Sequence, residues 1–244
     1  MGVFEYEKDD QGIVTITMDM SGPVNAINVE YNSLMQETVE RLEAEEGLSG
    51  VIFTSAKKVF FAGADLKELV LADAGDVEGL FANGEFFKGQ LRRLEKLPVP
   101  VVAAINGAAL GGGYEISLAC NFRIAYNHKS VQIGLPECAI GVYPAGGGVV
   151  RLTKLIGVEK ALDVILKSQR MVPEKALDAG LIDELVDSLD DLLPRAKAWL
   201  AKNSGNKDAA IQPWDKKGHK VPGGPINSPR NAQMAAMAPT MLHK

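Results

Sequence analysis

Between Val99 and Gly113 the chain passes through fifteen residues without one charged side chain, VPVVAAINGAALGGG. The VVAAI part has no polar position to turn toward water, so it predicts a strand covered on both faces, as in the middle of a parallel sheet. Pro100, Asn106 and the glycines break the run, which is too short and irregular to span a bilayer. A doubly covered strand needs layers on either side, and the flanking pattern supplies them. Short β-like runs at Phe4–Glu7 and Ile13–Met18 are separated by a turn at Gly12. After the break at Ser21-Gly22-Pro23, apolar spacing at Leu34, Met35, Val39 and Leu42 predicts a helix over Val29–Ala44. VIFTS reads as a buried strand, Asp65 as the N-cap of a short helix through Leu71, and 76–96 as a longer helix stopping before Pro98. YEISLAC reads as a helix and FRIAY as a strand; a polar loop then leads to Pro136. Beyond a glycine-rich turn at Pro144–Gly148, helices are expected at Val149–Ile156, Val158–Leu166, Pro173–Ala179 and Leu189–Ala201, with a strand at Glu184–Val186. Strands alternating with helices define an α/β layered fold.

Residues 203–244 differ. Pro213, Pro222, Pro225, Pro229 and Pro239 gather there with four glycines and few aliphatics, the composition of a linker or extended arm. The expected division is therefore a globular domain over 1–202 and a Pro/Gly-rich arm over 203–244.

Several functions are disfavoured. A formal charge of −5 gives no basic face for general nucleic-acid binding. The acidic start MGVFEYEKDD is not a secretory leader, and Tyr6 stands where myristoylation needs Ser or Thr, so a cytoplasmic chain is expected. Cys120 and Cys138 form no CxxC pair. His128, His219 and His243 have no metal spacing, and each reads as a surface residue rather than the base of a nucleophilic triad. Neither glycine-rich segment supplies GxGxxG or GxxxxGK[ST].

The Gly111–Gly113 segment does offer a helix start with unobstructed N–H groups, which can hold a developing oxyanion. Glu115 follows on the first turn of that helix, and Glu137 comes after Leu135-Pro136 in a loop. Taken singly, Glu115 reads first as a carboxylate complementing the helix dipole and Glu137 as a surface loop residue. Together, beside an N–H donor, they suit a reaction that adds one proton and removes another.

The segments SAKKVFFAGADLKEL (55–69), LPVPVVAAINGAALGGGYEISLACNFRIA (97–125) and IGLPECAIGVYPAGGGVVRL (133–152) resemble the enoyl-CoA hydratase/isomerase, or crotonase, superfamily over roughly residues 3–200. DMSGPVNAIN, RRLEKLPVP, GLPE and the tail IQPWDKKGHKVPGG are most similar to the hydratase half of multifunctional fatty-oxidation enzymes, whose NAD-dependent dehydrogenase half has no counterpart in these 244 residues. The resemblance implies a crotonase-like spiral of β-β-α units with a helical C-terminal region. It implies an acyl-CoA thioester substrate, hydration of a trans-2-enoyl-CoA, and no cofactor beyond the coenzyme A within the substrate. The backbone amides of Ala64 and Gly112 match the oxyanion hole, Glu115 and Glu137 the two catalytic glutamates, and Ala64, Asp65, Leu66 and Lys67 the substrate-binding loop. Lys58 and Lys67 match positions near the nucleotide phosphates. Association as a homo-oligomer or within a fatty-oxidation complex is also implied. Two features depart from the family pattern: extra residues around Tyr126–Ser130, and PAGGG where PGxGG is usual. Alternatives are Δ3-Δ2-enoyl-CoA isomerisation at the same site and a non-catalytic acyl-CoA-binding subunit.

Overall fold

The computed structural model describes every residue except Met1, Ala72, Ala74 and 242–244, so His243 lies outside the described residues. In chain order the elements are β1 (Val3–Lys8), β2 (Ile13–Asp19), α1 (Val29–Ala44), β3 (Gly50–Ser55), α2 (Leu66–Leu71), α3 (Val77–Glu95) and β4 (Val101–Ile105). There follow β5 (Ala109–Leu110), α4 (Gly112–Ala119), β6 (Phe122–Tyr126), β7 (Ile133–Gly134), α5 (Gly148–Ile156), α6 (Val158–Leu166) and β8 (Arg170–Met171). The chain continues through α7 (Pro173–Asp178), β9 (Glu184–Val186), α8 (Leu192–Lys202) and α9 (Pro229–Met241).

A large sheet runs in the order β1-β2-β3-β4-β6-β9, parallel except for the β1–β2 hairpin. VVAAI is its central strand and is buried at every position. Its side chains divide by period two between the two faces. Val101, Ala103 and Ile105 join the main core with α1, α3 and α4, while Val102 and Ala104 join Leu192, Ala196 and Leu200 of α8 on the opposite face.

The second sheet is narrower, β5-β7-β8, and was not expected from the sequence. Two-residue rungs have no measurable periodicity, so composition could not reveal them. Isolated bridges Phe61↔Ala109 and Ile27↔Ala64 extend it toward the N-terminus. Three strands of the large sheet are thus each followed by a rung beside the small one and then by a helix: β3–Phe61–α2, β4–β5–α4, β6–β7–α5. This is the spiral of β-β-α units. Its consequence is spatial: residues just after successive rungs stack along one rim.

Within the segment expected as an arm, 3₁₀ turns form at Lys207–Ala210 and Pro213–Asp215, and α9 begins at Pro229. Residues 212–215 are anchored to the body. The fully buried Gln212 donates its side-chain amide to the Ala119 carbonyl at 2.7 Å, satisfying an acceptor left open at the end of α4. Asp215 takes a bidentate pair of bonds from Arg92 at 2.8 Å each. Further on, the buried Asn231 donates to the carbonyls of Gly223, Gly224 and Pro225. The prolines and glycines here shape turns and start helices. No helix among the described residues is long and apolar enough to cross a membrane.

Candidate active site

The first wall of the site follows β3. Gly63 has φ +97°, and a methyl group on it would sit 3.0 Å from the Leu110 carbonyl oxygen and 3.7 Å from the Gly112 nitrogen, so the loop and the start of α4 touch through a residue that must lack a side chain. Ile27 donates to the Gly63 carbonyl and accepts from the Asp65 amide, at 2.8 and 3.0 Å. In a parallel bridge of this kind the intervening residue turns its own amide away from the partner strand. Ala64 is that residue, and it is exposed. Asp65 caps α2 as expected, its Oδ1 accepting from the Lys67 amide at 2.9 Å.

The second wall follows β5. The Gly111 amide donates to the Gly134 carbonyl, tying β5 to β7, and the Gly111 carbonyl accepts from Glu115 to begin α4. Gly112 is the first residue of α4, where an amide has no partner inside the helix and the helix dipole adds partial positive charge.

The two carboxylates converge on this turn. A methyl on Gly111 would lie 3.1 Å from Glu137 Oε1, and one on Gly112 would lie 3.9 Å from Glu115 Oε2. Glu115 is 3% exposed and accepts from the Gly148 amide at 2.7 Å through Oε1. Burial raises its carboxyl to about 7; the Gly148 amide pulls against that rise, and the Glu137 charge adds to it. Glu137 opens the 3₁₀ turn Glu137–Ile140 rather than lying in an irregular loop, and burial raises its carboxyl as well. Its Oε2 is buried without a hydrogen-bond partner among the described residues. Glu115, Glu137, Gly112 and the Ala64 loop are therefore brought together.

Lys58 lies between β3 and α2, and Lys67 lies on α2. Both are exposed, and neither has an ion-pair partner among the described residues. Leu66 is about half exposed at the start of α2. His128 is exposed and bonds Ser130 at 2.7 Å in the turn after β6. Ala145, the departure in PAGGG, is also exposed. Sequence reasoning missed the Gly148 amide as a partner of Glu115. The glycine run 146–148 was the signal, but only the fold shows that it faces α4.

A buried carboxylate held near neutrality and a half-buried one, beside outward backbone amides, make an acid–base site suited to a carbonyl compound on an α/β spiral. The chain belongs to the enoyl-CoA hydratase/isomerase family, whose family model matches residues 8–220 and so runs past the expected boundary at 202. It is similar to the fatty acid oxidation complex subunit alpha of Shewanella loihica, 40% identical over 188 residues covering 75% of this chain and 26% of that protein. The Shewanella halifaxensis protein of the same name is 38% identical over 186 residues, with the same coverage. This chain thus spans about a quarter of the length of those curated relatives. Among solved structures, an enoyl-CoA hydratase from Bacillus anthracis matches with a TM-score of 0.78 at 29% identity, over 98% of this chain and 91% of that one. Pseudomonas aeruginosa DspI matches with a TM-score of 0.72 at 33% identity, over 81% and 73% of the respective chains.

Proposed function

We propose that this chain is an enoyl-CoA hydratase that adds water across a trans-2-enoyl-CoA thioester to give the 3-hydroxyacyl-CoA. The single observation that carries the reading is the pair itself: a buried Glu115 raised to about 7, facing a Glu137 whose Oε2 has its hydrogen-bonding capacity uncommitted. Attack of water at C3 drives electrons onto the thioester oxygen. The Ala64 and Gly112 amides stabilise that charge, and one such donor is worth about 10²–10³ in rate. Glu115, ionised, takes a proton from the water as its oxygen bonds to C3, and Glu137, protonated, delivers one to C2. Product then leaves, and the proton gained by Glu115 must return to Glu137, by exchange with solvent water, before the next turnover. The two carboxyls titrate as one system, so a single proton shared between them is the working state. A group near 7 suits both halves of this cycle at neutral pH.

The scheme needs no electron carrier and no group beyond the coenzyme A of the substrate. The exposed ammonium groups of Lys58 and Lys67 would meet the nucleotide phosphates. Similarity to fatty acid oxidation alpha subunits supports a role in fatty-acid β-oxidation, and exposed apolar side chains such as Val70, Leu71, Phe81 and Tyr143 favour an assembled state, either a homo-oligomer or part of a larger complex.

The test is turnover of trans-2-enoyl-CoA esters of several chain lengths, followed by loss of the conjugated thioester absorbance and chromatography of the products. Formation of 3-hydroxyacyl-CoA supports hydration. Conversion of 3-enoyl to 2-enoyl esters without hydration would make the chain an isomerase, and binding without turnover would leave an acyl-CoA-binding subunit.

A further inference from the structure

Behind the Gly146–Gly148 turn lies a charged cluster that the hydration scheme does not use. Arg151, on the first turn of α5, is 7% exposed, and Glu95, at the end of α3, is 4% exposed. They form a two-point pair, Nε to Oε1 at 2.8 Å and a second guanidinium nitrogen to Oε2 at 3.2 Å. Arg92 donates to the same Glu95 Oε2 at 2.8 Å while also gripping Asp215. Such a pair removed from water is at best a weak source of stability, because desolvation offsets the attraction. Its remaining bond is more telling. The third nitrogen of Arg151 donates to the Gly146 carbonyl at 2.8 Å. Two residues later the chain presents the Gly148 amide to Glu115. Between them Gly147 has φ +102°, and a methyl there would come within 2.3 Å of the Arg151 guanidinium, so the turn is wrapped around this side chain.

We propose that Arg151 is a positioning residue for the reaction: pinned by Glu95, its guanidinium holds the Gly146–Gly148 turn where the Gly148 amide reaches Glu115. The inference rests on the hydratase reading for the step it serves, although the link from Arg151 to Glu115 stands on geometry alone. Nothing but an arginine fits the task, since one planar fork must meet a carboxylate at two points and a carbonyl at a third. The groups that face Glu115 are Glu137 from the 3₁₀ turn, Tyr31 from α1 and Arg151 from α5, with Glu95 and Arg92 of α3 behind Arg151. Of these, Arg151 favours the ionised form of Glu115 and Glu137 opposes it, while the Gly148 amide works in the same direction as Arg151.

Arg151→Lys tests the idea because it keeps the charge and loses the fork. Displacing a catalytic group by about 1 Å costs on the order of 10² in rate, so kcat for hydration should fall roughly 10–100-fold while KM stays within about threefold. Loss of the Gly148 bond should move the acid limb of the kcat–pH profile upward by about one pH unit, since a hydrogen bond to a charged group is worth about that much. Arg151→Met combined with Glu95→Met removes the pair without stranding a charge and should show the same loss of kcat. The carboxyl carbon of Glu115, identified by its absence in Glu115→Gln, can be titrated by ¹³C NMR without substrate and should shift upward in Arg151→Lys. If the wild type turns over no enoyl-CoA, the hydratase reading fails, and the NMR titration still decides the positioning role. An unmoved Glu115 titration in folded Arg151→Lys would overturn the proposal. So would a loss of kcat that only tracks the unfolded fraction with an unchanged pH profile, or failure of both variants to fold, since the pair would then serve the fold alone.

Discussion

Glu115→Gln should make the protein more stable and nearly inactive, and both effects follow from one number. Burial holds the Glu115 carboxyl at about 7 in the folded chain against an ordinary 4.5. Below pH 4.5 the group is protonated in both folded and unfolded states, and its contribution to stability is intact. As pH rises from 4.5 to 7 the unfolded chain ionises this carboxyl while the folded chain resists, so stability drains away. Above 7 both forms are ionised and the loss is complete. Moving from 4.5 to about 7, at about 1.4 kcal/mol per pH unit, gives a penalty of about 3 kcal/mol at pH 8. Glutamine carries no such penalty, and its carbonyl oxygen can still accept from the Gly148 amide. The variant should therefore match the wild type near pH 4.5 and exceed it by about 3 kcal/mol at pH 8, a rise in Tm on the order of 10 °C for a chain of this size. Parallel melts of both proteins across pH 4.5–8.5 measure the difference, in which the coupled titration of Glu137 is included. A difference that stays flat with pH, or a variant less stable than wild type at pH 8, would refute the claim that this carboxylate is kept at a cost to the fold.

Three further outcomes can be checked. Glu115→Gln and Glu137→Gln should each lower kcat for hydration by about 10²–10⁴ with little change in KM, and the double variant should lose far less than the product of the two, as steady-state kinetics on a conjugated enoyl-CoA would reveal. Gly63→Ala forces a side chain into φ +97° and against the Leu110 carbonyl; it should cost about 1–3 kcal/mol in denaturant melts and, by displacing the Ala64 amide, reduce kcat by about 10². Limited trypsin digestion should cut first after the exposed Lys216, Lys217 or Lys220, because Gln212 and Asp215 hold the preceding residues to the body; mass spectrometry finding first cuts before 215 would contradict this.

Much of the large sheet was readable because its signals are local. The uninterrupted VVAAI foretold a strand with a core on each face, and Asp65 marks a helix start where its side chain does accept from the following turn. The carboxylate pair was readable only in combination, since either glutamate alone has an ordinary surface explanation. What escaped the sequence is what depends on distance along the chain. The rungs β5, β7 and β8 are two residues each and become strands only by pairing. Glu95 and Arg151 lie 56 residues apart on helices, where charged residues normally signal a solvated face. In the tail, proline and glycine load says how a segment turns and not whether it docks. A single glutamine reaching the end of α4 outweighs that composition.

The arrangement along the small sheet explains why so much of this site is backbone. Ala64 follows the rung at Phe61, Gly112 follows β5, and Glu137 follows β7, so the spacing between neighbouring strands, about 4.8 Å, sets the spacing of the groups that meet the substrate. Backbone amides cannot swing away as side chains do; they move only if a rung moves, and every rung is bonded to the next. That rigidity is what electrostatic stabilisation of a developing oxyanion requires, because donors already in place need no reorganisation during the reaction. The amides that support Glu115 from outside this ladder belong to Gly148 and Gly146, on a turn that no strand fixes. The molecule puts its buried arginine–glutamate pair behind that turn, where the sheet leaves the geometry least constrained.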